Sequence, residues 1–224
     1  MQYSLFIINK KGESFMNVTR QELKARAKAQ LDGGIFKEKW LWAVLVCLIA
    51  SVAVGIVNVV PVVGTLACIV ITGPIMYAVH AMFLKQARNN QPMVLEDLLK
   101  GFTGDFLQTF LIGLMTTVFT VLWSLLFVIP GIVKAYSYSM AYFIKVDNPT
   151  FTWKDCINAS KDMMNGHKME LFVQDLSFLG WMIVGSICLG VGTLWVMPYQ
   201  YATRAHFYQE VIKEYRMRAM ASNV

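Results

Sequence analysis

The chain has 224 residues, of which 56% are hydrophobic and 15% charged, with mean hydropathy +0.49 and formal net charge +6. Soluble domains run about 45–50% apolar and about 25% charged, so the composition excludes an ordinary soluble domain and points to a membrane. The basic excess then reads as cytosolic-loop bias, not as a nucleic-acid footprint.

The four cysteines do not form a disulfide scaffold: Cys47, Cys68 and Cys188 lie in apolar runs, Cys156 lies in a charged loop, and no CxxC occurs. At the start, "YSLFII" leads to no small-residue cleavage site, so no cleavable signal peptide is expected. "KGESFM" ends at Met16. Lys-Gly-Glu can be encoded as a ribosome-binding sequence upstream of an ATG. Residues 1–15 are therefore expected to be an over-extended start or a disordered segment, followed by a single membrane domain over 16–215 and a basic cytosolic tail over 216–224.

In chain order, the amphipathic segment "TRQELKARAKAQL" comes first, with Thr19 and Glu22 spaced for a capping box. Apolar runs follow at residues 40–60 and 62–84, each long enough to cross the hydrocarbon, which takes about 20 residues. A second amphipathic segment, "VLEDLLKGF", precedes a third run at 106–129 and the more polar "IPGIVKAYSYSMAYFIK" at 129–145. A third, "TWKDCINASKDMMNGHK", offers a looser box at Thr152 and Asp155 and a helix stop at Asn165-Gly166. The last run, 171–197, is longer than one span and holds a Gly-rich break.

Basic residues lie before the first run, after the second, between 145 and 168, and at the end of the chain, while "NVVPVVG", "VIPG" and "LGVGTLW" are uncharged. This pattern predicts six transmembrane helices arranged as three Pro-hinged hairpins, each preceded by a short amphipathic cytosolic helix. Both termini would be cytosolic. "PIMYAVHAMF" (74–83) and "PYQYATRAHF" (198–207) share Pro, Tyr, Ala, Ala and Phe at identical offsets, which supports a repeated unit. Ser186 and Gly190 have the small-xxx-small spacing of close helix packing.

"IPGIVKAYSYSMAYFI", "ASKDMMNGHKMELFVQDLSFLGW" and "LGVGTLWVMPYQYATRAHFY" resemble a family of bacterial integral membrane proteins described as domain of unknown function 975. The resemblance runs from Met16 to about residue 215. It implies a six-helix all-α bundle in a bacterial plasma membrane, with no established activity and no catalytic residues to carry over.

Polar groups at membrane depth are the candidate site residues. Asp175, Arg204 and His80 are expected in one layer near the inner interface, with His206 and the tyrosines beside them; His80 and Arg204 hold the same offset in the repeat. The layer reads either as a structural Asp175–Arg204 pair or as a polar pocket open to the inner leaflet. Lys134 either snorkels to the outer headgroups or contacts lipid phosphate, and it shares a helical face with Tyr138 and Ala141. Gly166, His167 and Lys168 stand at a helix start, where phosphate is favoured. Ser160, beside Lys161 and Asp162, reads as part of a solvated face.

There is no HExxH, GxSxG or P-loop, and the three histidines lack metal spacing. The expectation is a non-enzymatic protein with no cofactor or metal, which binds, moves or organises lipid or an amphipathic small molecule. Membrane lipids are the expected partners and nucleic acid is not. The alternative is an accessory subunit of another membrane complex, docking through its cytosolic helices.

Overall fold

The computed structural model describes residues 18–33, 37–57, 61–187 and 191–221. The expected over-extended start, residues 58–60 and 188–190 of the expected outer turns, with Cys188 and Gly190, and the end of the tail lie outside them. Among the described residues the chain is all-α. Its helices are α1 (Arg20–Gln30), α2 (Glu38–Val57), α3 (Pro61–Asn89), α4 (Glu96–Thr103), α5 (Phe106–Leu126), α6 (Val128–Tyr138), α7 (Ala141–Asp147), α8 (Trp153–Met163), α9 (Lys168–Ile187) and α10 (Val191–Ala221).

Among the described residues, three helices are long and apolar enough to cross a membrane, over Glu38–Gly55, Ala67–Asn89 and Phe106–Leu126. Six were expected. The stretch after Pro130 is not one helix: α6 ends at Tyr138, a turn fills 139–140, and α7 restarts at Ala141. The 11 residues of α6 cover only about 16 Å. Lys134 and Tyr138 therefore do not share a continuous helical face with Ala141. The charges of α9 (Lys168, Glu170, Asp175) and α10 (Arg204, Glu210, Lys213) keep these two helices from being apolar throughout.

Ser160 explains how the α6–α7 break is tolerated. A broken helix leaves backbone groups without their ladder partners. The Ser160 hydroxyl donates to Ser137 C=O at 2.7 Å and accepts from Met140 N–H at 3.2 Å. Ser160 is fully buried, which corrects its reading as part of a solvated face. Ser160→Ala is expected to cost about 1–3 kcal/mol by stranding both groups. Chemical unfolding in detergent, wild type against variant, checks this.

Glycines set the closest helix approaches. A Cβ on Gly113 of α5 would lie 2.8 Å from the Gly73 Cα of α3 and 2.9 Å from the Tyr142 hydroxyl. A Cβ on Gly101 of α4 would collide with the Pro74 carbonyl, so α4 tucks against the Pro within α3. α9 and α10 meet at Gly185 and Gly192, where a Cβ on Gly185 would lie 2.8 Å from the Gly192 carbonyl carbon. Ser186 instead faces outward and bonds within its own helix. The repeated segments are buried alike: Ala78 and Ala202, and Phe83 and Phe207, are all fully buried.

Of the two expected capping boxes, one forms in full and one by half. At α8 the box is complete, with Thr152 Oγ1 accepting from Asp155 N–H and Asp155 accepting from Thr152 N–H at 3.0 Å. At α1 it is half formed: Thr19 accepts from Glu22 N–H at 3.2 Å, but the Glu22 carboxylate goes to Arg26 at 2.8 Å. Past α8, Gly166 takes φ +92°, which suits glycine at a helix stop.

Ion pairs fasten the charged end of the bundle. Arg26 ties α1 to Glu210 of α10 at 2.8 Å. Arg88 grips Asp147 with two bonds, at 2.5 and 2.8 Å, and the Tyr208 hydroxyl adds a third at 2.8 Å. Burial pushes the Asp147 carboxyl up, but the Arg88 and Tyr208 hydrogen bonds outweigh it and hold its pKa below the ordinary carboxylate value. A depressed folded-state pKa gives stability that is present at neutral pH and lost as pH falls through that value. Melting midpoints from pH 7 to pH 3 are therefore expected to fall more steeply for wild type than for Asp147→Asn.

Candidate functional site

A cavity of about 710 Å³ opens among α3, α5, α6, α7, α9 and α10. Its polar floor starts from Asp175, seven residues into α9 and so about 10 Å along that helix from its start. Arg204 Nη2 donates to Asp175 Oδ2 at 2.7 Å, and Gln200, one turn earlier on α10, donates to Asp175 Oδ1 at 3.1 Å. The Asp175 and Arg204 side chains are 13% and 28% exposed. Arg204 Nε is buried with no partner among the described residues.

His80 stands beside this pair on α3. Its Nδ1 donates to Met76 C=O at 2.6 Å, the bond that a carbonyl acceptor requires, and this leaves Nε2 as the other ring nitrogen. Tyr142 stacks on the imidazole at 5.3 Å, and Phe143 and Tyr201 meet it edge-on at 4.7 and 5.5 Å. Tyr138 lines the cavity and lies 6.2 Å from Phe119.

Thr116, Thr117 and Thr120 of α5 form the opposite wall. Thr116 and Thr117 spend their hydroxyl protons on backbone carbonyls of their own helix, at 2.7 and 2.8 Å. Their oxygens keep acceptor capacity toward the cavity. Tyr136 and Phe172 meet edge-on at 5.8 Å where α6 approaches α9. Val121 and Ile132, on the rim, are 49% and 44% exposed. The cavity thus joins a polar floor to an apolar rim on the outer surface of the bundle.

The structure brings together four of the sequence-derived candidates: His80, Tyr138, Asp175 and Arg204. Lys134 lies elsewhere, its ammonium 4.6 Å from the centre of the Trp123 ring. His206 is buried outside the cavity lining, because two residues beyond Arg204 is a different helical face. Its Nε2 has no partner among the described residues.

The "NGHK" segment also departs from expectation. His167 is 1% exposed and sits between two carboxylates, Nδ1 at 2.9 Å from Glu170 and Nε2 at 3.3 Å from Glu214. Carboxylates on both ring nitrogens make a poor reception for phosphate. Gly166 is exposed as the helix stop and Lys168 is half-buried at the first position of α9. Sequence reasoning missed Gln200 and the threonine wall; the signal was Thr116 and Thr120 one turn apart in the middle of an apolar run. Among the described residues no three His, Cys, Asp or Glu side chains group to hold a metal ion.

A family model, described as protein of unknown function (DUF975), matches residues 16–137 and 125–215. The chain belongs to the DUF975 family. The two matched segments together contain every residue that lines the cavity of this DUF975 protein. No curated protein and no solved structure matches the chain.

Proposed function

We propose that this is a non-catalytic integral membrane protein that binds, moves or organises a lipid or an amphipathic small molecule from the inner leaflet. In this reading the chain crosses a bacterial plasma membrane six times, as three hairpins with both termini in the cytosol. The separation of basic segments from uncharged turns supports that topology. A lone charge at the bilayer centre costs about 2.5–3.5 kcal/mol on insertion scales. The mutual pairing of Asp175 and Arg204 lowers that cost for α9 and α10.

The observation that carries the functional reading is the composite character of the cavity. Its volume of about 710 Å³ suits a small-molecule site, for which about 300–1,000 Å³ is usual. A polar head would meet Asp175, Arg204 and the threonine oxygens, while a chain would leave over Val121 and Ile132. Native mass spectrometry of protein extracted with its bilayer in polymer discs tests this. Wild type is expected to retain a defined lipid or small molecule, and Asp175→Asn/Arg204→Gln, which strands neither charge, is expected to lose it. Equal retention in folded protein of both kinds would overturn the reading.

A further inference from the structure

We propose that the polar cavity is one half of a bipartite site, whose other half is an apolar cavity of about 300 Å³ among α2, α3 and α10. The inference rests on the function proposed above and names its ligand class: a single-chain amphiphile whose head carries no net charge. Cys47, Ala50 and Val54 of α2 and Val79 of α3 line the second cavity. Ser51, also on its wall, turns its hydroxyl back to Cys47 C=O at 2.8 Å, so it offers no donor to a guest.

The two cavities share a thin wall. His80 lines the polar one and Tyr201 the apolar one, and their rings meet edge-on at 5.5 Å. Met76 holds both: its carbonyl takes His80 Nδ1 at 2.6 Å and its sulfur takes the Tyr201 hydroxyl at 3.7 Å. A thioether is a weak acceptor, so a ligand head that offers oxygen outcompetes it. Turning Tyr201 toward that head removes the wall and lets one chain pass from the polar cavity into the apolar one.

Charge selects the head. Among the described residues, the only carboxylate and guanidinium on the polar wall, Asp175 and Arg204, are paired with each other. An anion gains from Arg204 what it loses to Asp175, whereas a zwitterion complements both.

The test uses a single-chain phosphocholine carrying a diazirine at the end of its chain, photolysed with full-length protein in polymer discs. Peptide mass spectrometry then locates the adducts. Adducts are expected at residues 47–54 and 76–79, displaced by excess dodecylphosphocholine and at least fivefold less well by dodecyl phosphate. Ala50→Phe, which fills the apolar cavity, is expected to reduce them at least fivefold. Should that variant fail to fold, adduct positions in wild type decide.

Displaceable adducts at Val121 and Ile132, absent from Asp175→Asn/Arg204→Gln, would overturn the bipartite site and leave the proposed function standing. Adducts spread over the outer surface, undisplaced and unchanged in that double variant, would overturn both. Equal displacement by dodecyl phosphate would overturn the head assignment.

Discussion

Arg204→Gln alone is expected to destabilise the protein by about 3 kcal/mol, whereas Asp175→Asn/Arg204→Gln costs clearly less. The single change leaves the Asp175 carboxylate with neutral donors, Gln200 at 3.1 Å and the Tyr136 hydroxyl, and no cation, in a setting where its side chain is 13% exposed. An uncompensated buried charge is the expensive outcome; a neutral amide pair is not. Asp175→Asn alone leaves the better-hydrated partner behind and falls between the two. A double-mutant cycle in detergent, read by chemical unfolding, is expected to give a coupling of about 1–3 kcal/mol. Additive single effects would mean that the pair contributes nothing to holding α9 against α10.

Lys145 carries the second large effect. Its side chain is 2% exposed, and its three ammonium donors go to Asp105 at 2.7 Å, Pro149 C=O at 2.8 Å and Phe151 C=O at 2.9 Å. Lys145→Met fills similar space but strands two carbonyls and a carboxylate. Asp105 is half-exposed, so water takes up that carboxylate and the carbonyls account for most of the loss. The expected cost is about 2–4 kcal/mol. Lys145→Arg is expected not to rescue it, because a planar guanidinium cannot donate along three ammonium directions. Unfolding free energies of the two variants, with limited proteolysis across residues 147–153, check both expectations.

The polar layer was legible because of arithmetic on the repeat. His80 and Arg204 stand six residues after Pro74 and Pro198, and Asp175 lies at matching depth on the neighbouring helix. Charge cost then made the Asp175–Arg204 pair the economical solution. The all-α class was legible from the apolar runs and amphipathic segments. What was hidden depends on packing. The break at residues 139–140 has no Pro or Gly at it; it exists because Ser160, from a distant helix, satisfies the freed backbone. His167 looked like an interfacial cation, but Glu214, 47 residues further on in sequence, draws it inward. Helix spacing does not register such long-range partners.

The most direct test of the central account is a density map of the protein in native lipid at a resolution that shows side chains. The account predicts an elongated density with its polar end within hydrogen-bond distance of Arg204 and Asp175 and its chain leaving beside Val121 and Ile132 or entering past Tyr201. A cavity closed by side chains, with Asp175–Arg204 packed against protein on every side, would contradict it.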